Sequence, residues 1–235
     1  MRRHTTTALV LTTLAPLALT GCSLTGCSDD SHGSSGTSPA AASSSRGGSY
    51  AAGATPLSSA ALSKRLLTEQ DLGEGYVRKA ERAQHNDDVT VIGCPALAKL
   101  GGDAATGGSL DFPRKAKAAF TYGAGGTSEV SEELYSDTAP KLSDGVGHIF
   151  NAMASCPKYQ VVSGSTAIDM TTQATTAPQL GEEQWSQLLT YSAGGQRSVV
   201  KQTAIRTGTV VVIVAGSPAL VDAHLDKALA KIQSR

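Results

Sequence analysis

Thr207-Gly208-Thr209-Val210-Val211-Val212-Ile213-Val214-Ala215-Gly216-Ser217-Pro218 is the stretch on which the fold turns. Successive side chains of a strand point to opposite faces, so a half-buried strand alternates apolar with polar. Val210 to Val214 does not alternate. An unbroken β-branched run of this kind predicts a central strand buried on both faces. Thr207-Gly208 makes the tight turn before it, and residues 196–206 form the strand that leads into that turn. After it, Ser217 as N-cap and Pro218 at the first helical position start a terminal helix. Val221, Leu225, Ala228, Leu229 and Ile232 supply that helix with its buried stripe.

Moving outward, Trp185, Gln187, Leu189 and Tyr191 alternate with their neighbours, and Gly194-Gly195 turns the chain. Residues 159–162 and 166–173 are strand-like. Before them, Leu142, Val146, Ile149, Phe150 and Met153 fall on one helical stripe that ends at Cys156-Pro157. Residues 117–122 place Ala118, Phe120 and Tyr122 on one face, and 128–135 run back after a turn at 123–126, as in a hairpin. Further upstream, Ser58 or Ser59 caps a helix carrying Leu62 and Leu66, expected to end within residues 68–72. Gly73 and Gly75 break it, and Tyr76-Val77 begins an extended piece. His85-Asn86-Asp87-Asp88 reads as an exposed turn, 89–92 as a short strand, Cys94-Pro95 as the start of a brief helix to Leu100, and 101–108 as loop. The sum is an α+β domain over residues 57–235, an antiparallel sheet with helices packed on one side.

Residues 1–56 have a different character. Arg2-Arg3, a mostly apolar run from Ala8 to Leu19 and Leu19-Thr20-Gly21-Cys22 form a secretory signal over residues 1–21. The run is shorter than the ~18–20 residues of a spanning helix. Leu-Thr-Gly-Cys is similar to the lipobox of bacterial lipoproteins. That resemblance implies a diacylglyceryl group on Cys22 and a protein held by lipid on the outer face of a cytoplasmic membrane. Leu24-Thr25-Gly26-Cys27 repeats the tetrapeptide, so Cys27 is the alternative acceptor. Residues 28–56, rich in Ser, Gly, Ala, Thr and Pro, cannot bury enough apolar surface to offset their ordering entropy and read as a tether.

Charge excludes some partners. Lys+Arg 20 balances Asp+Glu 20 with no basic stripe, so nucleic acid is not expected. Aromatic residues make up 4%, which leaves the core to Val, Leu, Ile and Ala. The cysteines outside the lipobox region are Cys94 and Cys156. An extracytoplasmic setting allows a bridge between them, and two buried free thiols are the alternative. Two cysteines without nearby histidines do not fill a zinc shell.

Leu66-Leu67-Thr68-Glu69-Gln70-Asp71-Leu72-Gly73-Glu74-Gly75-Tyr76 is similar to the opening of many actinobacterial surface lipoproteins. Two strands, a helix ending at Cys156, then several strands and a helix resemble the PknH-like extracellular sensor domain. That module lies outside some mycobacterial serine/threonine kinases and also occurs in standalone lipoproteins. The resemblance implies an α+β domain with a ligand cleft. It also implies a bridge, which only Cys94 and Cys156 can make here, against two in the kinase sensor.

Catalytic motifs fare poorly. Ser155-Cys156-Pro157-Lys158 matches S-x-x-K, with Ser143-Asp144-Gly145 and Arg206-Thr207-Gly208 as partial partners, but their order is wrong for a penicillin-recognising enzyme. His148 falls on the solvent side of its helix and His224 at the edge of an apolar stripe. His85 with Asp87 and Asp88 is too few ligands for a metal. Glu132-Glu133 and Glu182-Glu183, being adjacent, are expected on opposite strand faces, wrong for paired acid–base work. Trp185 is the candidate ligand contact, either a sheet-face aromatic or a cleft wall. The expectation is a non-enzymatic surface lipoprotein that binds a small ligand or envelope component, without cofactor or metal. An interaction module accessory to a membrane signalling partner is the alternative.

Overall fold

The structure, a computed structural model, describes residues 55–80, 89–101, 110–123 and 128–234. The signal, Cys22, Cys27, most of the tether, the His85–Asp88 turn, most of the loop at 101–108 and part of the turn at 123–126 lie outside them.

Nine strands form one antiparallel sheet: β1 Tyr76–Arg78, β2 Val89–Ile92, β3 Lys115–Tyr122, β4 Ser128–Ser136, β5 Lys158–Ser163, β6 Thr166–Ala174, β7 Glu183–Ala193, β8 Gln196–Thr207 and β9 Val210–Gly216. Their order is β1-β3-β4-β9-β8-β7-β6-β5-β2. Five helices accompany them among the described residues: α1 Ser59–Ser63, α2 Glu69–Leu72, α3 Pro95–Ala98, α4 Ala139–Ser155 and α5 Pro218–Gln233. β9 sits fourth in the sheet, between β4 and β8, and Val210 to Val214 are buried on both faces.

Because residues opposite each other in a ladder share a face, the register assigns the core. Val212 faces Leu134 and Ile205, whereas Val211 faces Tyr135 and Arg206. On the first face, Val210, Val212, Val214, Leu134 and Phe120 pack against α5 through Val221, Leu225 and Leu229, and against Leu62 and Leu67. On the second, Val211, Ile213, Ala204 and Tyr135 pack under Leu142, Val146 and Phe150 of α4. That cover continues over Tyr159, Met170 and Leu189 with Met153 and, from α3, Leu97. The α+β class and the antiparallel sheet are as expected. The helices, however, divide between the two faces, since a strand buried on both sides needs cover on both.

Two local expectations change. The helix expected from Ser58 towards Leu72 is two short ones. Ser58 accepts a bond from the Ala61 N–H, and Thr68 then starts α2 with a capping box closed by Asp71. Ser217 does precede α5, but its hydroxyl accepts the Glu129 N–H at 3.3 Å and makes no cap bond.

β1 and β2 are close in sequence and lie at opposite edges of the sheet. A disulfide accounts for the placement of β2. Cys94 follows β2 and Cys156 precedes β5, and the two are bridged with Cα atoms 5.6 Å apart. The antiparallel register Ile92↔Gln160 runs away from that staple.

Candidate functional site

α4 lies over the second face and is held to β7 at two points. Near its N-terminus the Ser143 hydroxyl donates to Glu183 Oε1 at 3.0 Å. Near its C-terminus the Gln187 amide donates to Met153 Sδ at 2.9 Å and to Gln202 Oε1 at 2.9 Å. Trp185 lies on β7 between these clamps, half-buried. The helix passes over the indole at Gly147, where a Cβ would stand 3.9 Å from Trp185 Cζ2, an ordinary contact distance. Phe150, one turn on, puts its ring centroid 6.2 Å from that of Trp185.

The segment between β6 and β7 closes the other side. It is tied at its start, where the Thr175 N–H donates to Ser186 O and the Thr175 hydroxyl to Ser186 Oγ, both at 2.9 Å. At its end the Glu182 N–H donates to Arg206 O at 2.9 Å. Gly181 is what lets the chain pass β8 so closely, since a Cβ there would lie 2.5 Å from Ile205 Cγ2 and 2.6 Å from Arg206 O. Arg206 completes the anchor, donating to Glu183 Oε2 at 2.7 Å and Glu182 Oε2 at 2.5 Å. The bond from the guanidinium is the chief reason the Glu183 carboxyl is held below its ordinary value. Glu182 and Glu183 therefore meet on one cation and do not point apart: Glu182 precedes the strand, where the alternation of side chains has not begun.

Between helix and segment lies a cleft of about 320 Å³. Phe150 and Asn151 line it from α4, Thr176 and Gln179 from the segment, and Gln184 and Trp185 from β7. Nothing charged lines it. Gln184 borders the cleft on the β7 strand, but its register with Ile205 directs the side chain to the α5 face, where Oε1 is buried without a hydrogen-bond partner. Such a lining can bind and orient, but it supplies no group able to take or give a proton near neutral pH.

The fold is also that of a known extracellular domain. The structure is similar to the crystal structure of the extracellular domain of PknH from Mycobacterium tuberculosis, with a TM-score of 0.51 and 15% sequence identity. The match covers 76% of this chain and 100% of that one. The likeness is one of fold. Neither a protein-family model nor a curated protein matches the sequence.

The remaining candidates are placed elsewhere. A second hollow, about 400 Å³, lies towards the far end of the same sheet face over Ala119, Ser131 and Ala215. Ser155 donates its hydroxyl to Ala152 O at 2.7 Å, beside the buried Cys156. His148 is exposed. His224 is half-buried and its Nε2 lies 2.5 Å from the Tyr76 hydroxyl. Glu132 and Glu133 do face opposite ways: Glu132 Oε2 accepts the Leu67 N–H at 2.6 Å, while Glu133 takes Lys117 and the Tyr135 hydroxyl. No cluster of metal-ligating side chains occurs among the described residues. The sequence singled out Trp185 as a sheet-face aromatic or a cleft wall. The rest of the cleft was not legible, because Asn151, Thr176 and Gln179 are ordinary surface residue types until α4 and the segment bring them beside the indole.

Proposed function

We propose that this chain is a lipid-anchored surface protein whose domain, residues 57–235, binds a small ligand or envelope component in the Trp185 cleft without turning it over. Cys22, or alternatively Cys27, carries the lipid on the extracytoplasmic face of the cell membrane. Residues 28–56 tether the domain. A single observation carries the binding half of the reading: an indole held at a fixed place under α4, opening on a cleft whose polar groups do not titrate near neutral pH. Pockets with an aromatic wall and a few placed polar groups are the usual form of a small-molecule site. The anchor rests on the lipobox and on the apolar run before it.

Native mass spectrometry of the full chain, extracted in detergent from its own host, tests both halves. The reading expects an acylated chain lacking residues 1–21 and a bound mass that Trp185→Ala loses. An unprocessed, unacylated chain contradicts the anchor, and a chain with no bound mass contradicts the cleft. The fold shared with a kinase's extracellular domain supports a second reading, in which the chain is a sensor-like accessory to a membrane signalling partner. Crosslinking that joins the wild-type chain to a membrane protein, with no small molecule bound, favours it.

A further inference from the structure

We infer that the ligand of the Trp185 cleft is a neutral saccharide, an inference that rests on the binding role proposed above. Three observations converge on that chemistry. The first is the indole itself. The face of an aromatic ring is electron-rich, so it attracts the slightly positive C–H groups on one side of a sugar ring while burying apolar area. Trp185 is half-buried, so part of its surface remains available.

The second is the kind of polar group around it. Asn151 and Gln179 are amides, each with a carbonyl that accepts and an NH₂ that donates, and Thr176 is a hydroxyl. A sugar hydroxyl is likewise donor and acceptor at once, so amides fit it better than carboxylates or ammonium groups do. Asn151, Thr176 and Gln179 are all exposed, so these groups are open to a ligand.

The third is charge. No cation lines the cleft, and Arg206 at the anchor of the segment is engaged by Glu182, Glu183 and Gly208 O. An anionic ligand therefore finds no free cation in the lining, and the amides are poor company for an acyl chain.

The chain has one tryptophan, so its emission reports on this cleft alone. The test titrates the full chain in detergent with maltose, N,N′-diacetylchitobiose and soluble neutral polysaccharide fragments of the host wall, against glucuronate and decanoate. A saturable change of emission with a neutral sugar is expected. Asn151→Ala should weaken it by up to about tenfold, the loss of one hydrogen bond to a sugar hydroxyl. Gln179→Ala, across the cleft on the segment before β7, should weaken it likewise if Asn151→Ala does not fold. A response to the fragments only assigns the site to an envelope glycan; a response to the disaccharides assigns it to free sugars as well. If decanoate or glucuronate moves the emission and no neutral sugar does, the saccharide is wrong and the binding cleft stands. If no probe moves it while native mass spectrometry still finds a Trp185-dependent mass, the saccharide again falls alone. If that mass is missing too, both fall.

Discussion

The two faces of the sheet are stabilised by different means. Under α5 the core is mostly aliphatic, with Phe120 among it, and Glu132, Ser136 and Thr203 are the polar side chains buried there. Under α3 and α4 the core is divided into two clusters and laced with polar contacts: Gln187 with Gln202, Glu133 with Lys117, Arg206 with two glutamates. A disulfide ties it together. The apolar face depends on burial, roughly proportional to area. The polar face depends on a covalent constraint and on directional contacts, which fix α4 where packing alone would let it shift. A binding cleft beside a precisely held helix belongs on the second kind of face.

Removing the staple should produce the largest effect. Cys94→Ser with Cys156→Ser releases a loop spanning a sequence separation of 62 residues. In the chain-entropy account this lowers stability by about 4 kcal/mol, read in urea unfolding. Hydrogen exchange should then quicken in α3 and α4 more than in α5. Equal quickening in all three would mean that the two faces open together and the contrast is false.

On the apolar face, Leu134→Ala should cost about 3 kcal/mol, within the range for a fully buried leucine. Glu132 offers a different lever of similar size. Burial pushes its carboxyl up from 4.5 to about 7, against the lowering effect of the Leu67 N–H. The folded state therefore holds the proton between pH 4.5 and 7 while the unfolded state releases it, and stability falls as pH rises through that window. The loss is about 3 kcal/mol in order of magnitude. Glu132→Gln should remove that slope, which urea titrations at pH 5 and 8 would detect as a difference from the wild type. Asp71 works oppositely. Its bonds to Lys231 and Thr68 outweigh burial and take its carboxyl from 3.8 to about 2, so its contribution is present above pH 4 and fades as pH falls. The smallest expected effect is Ser143→Ala. It deletes one bond to Glu183 and should cost about 1 kcal/mol while loosening α4 over Trp185.

The sequence made the local elements readable because their periods are local. The Val210–Val214 run announced a strand covered on both faces, and the stripe from Leu142 to Met153 announced α4. Sheet order was beyond it: nothing near Val89 says that β2 joins β5 at the far edge. Only the Cys94–Cys156 link, which spans distant segments, carried that information. Thr68 was read as a helix end, whereas Asp71 three residues on completes a capping box that restarts the helix. In the site, Trp185 stood out as a sheet-face aromatic or a cleft wall. Gly181 against β8 looked like any glycine, since its role arises from a close approach between elements remote in sequence.

Whether the indole lies in the binding site is decided by acrylamide quenching of the Trp185 emission, in the full chain before and after addition of a small-molecule extract of the host envelope. The extract is expected to shield the indole and lower the quenching constant, and Trp185 is expected to regain its accessibility after dialysis. An unchanged constant, with an extract that still binds the protein by native mass spectrometry, would place the ligand elsewhere and contradict the claim.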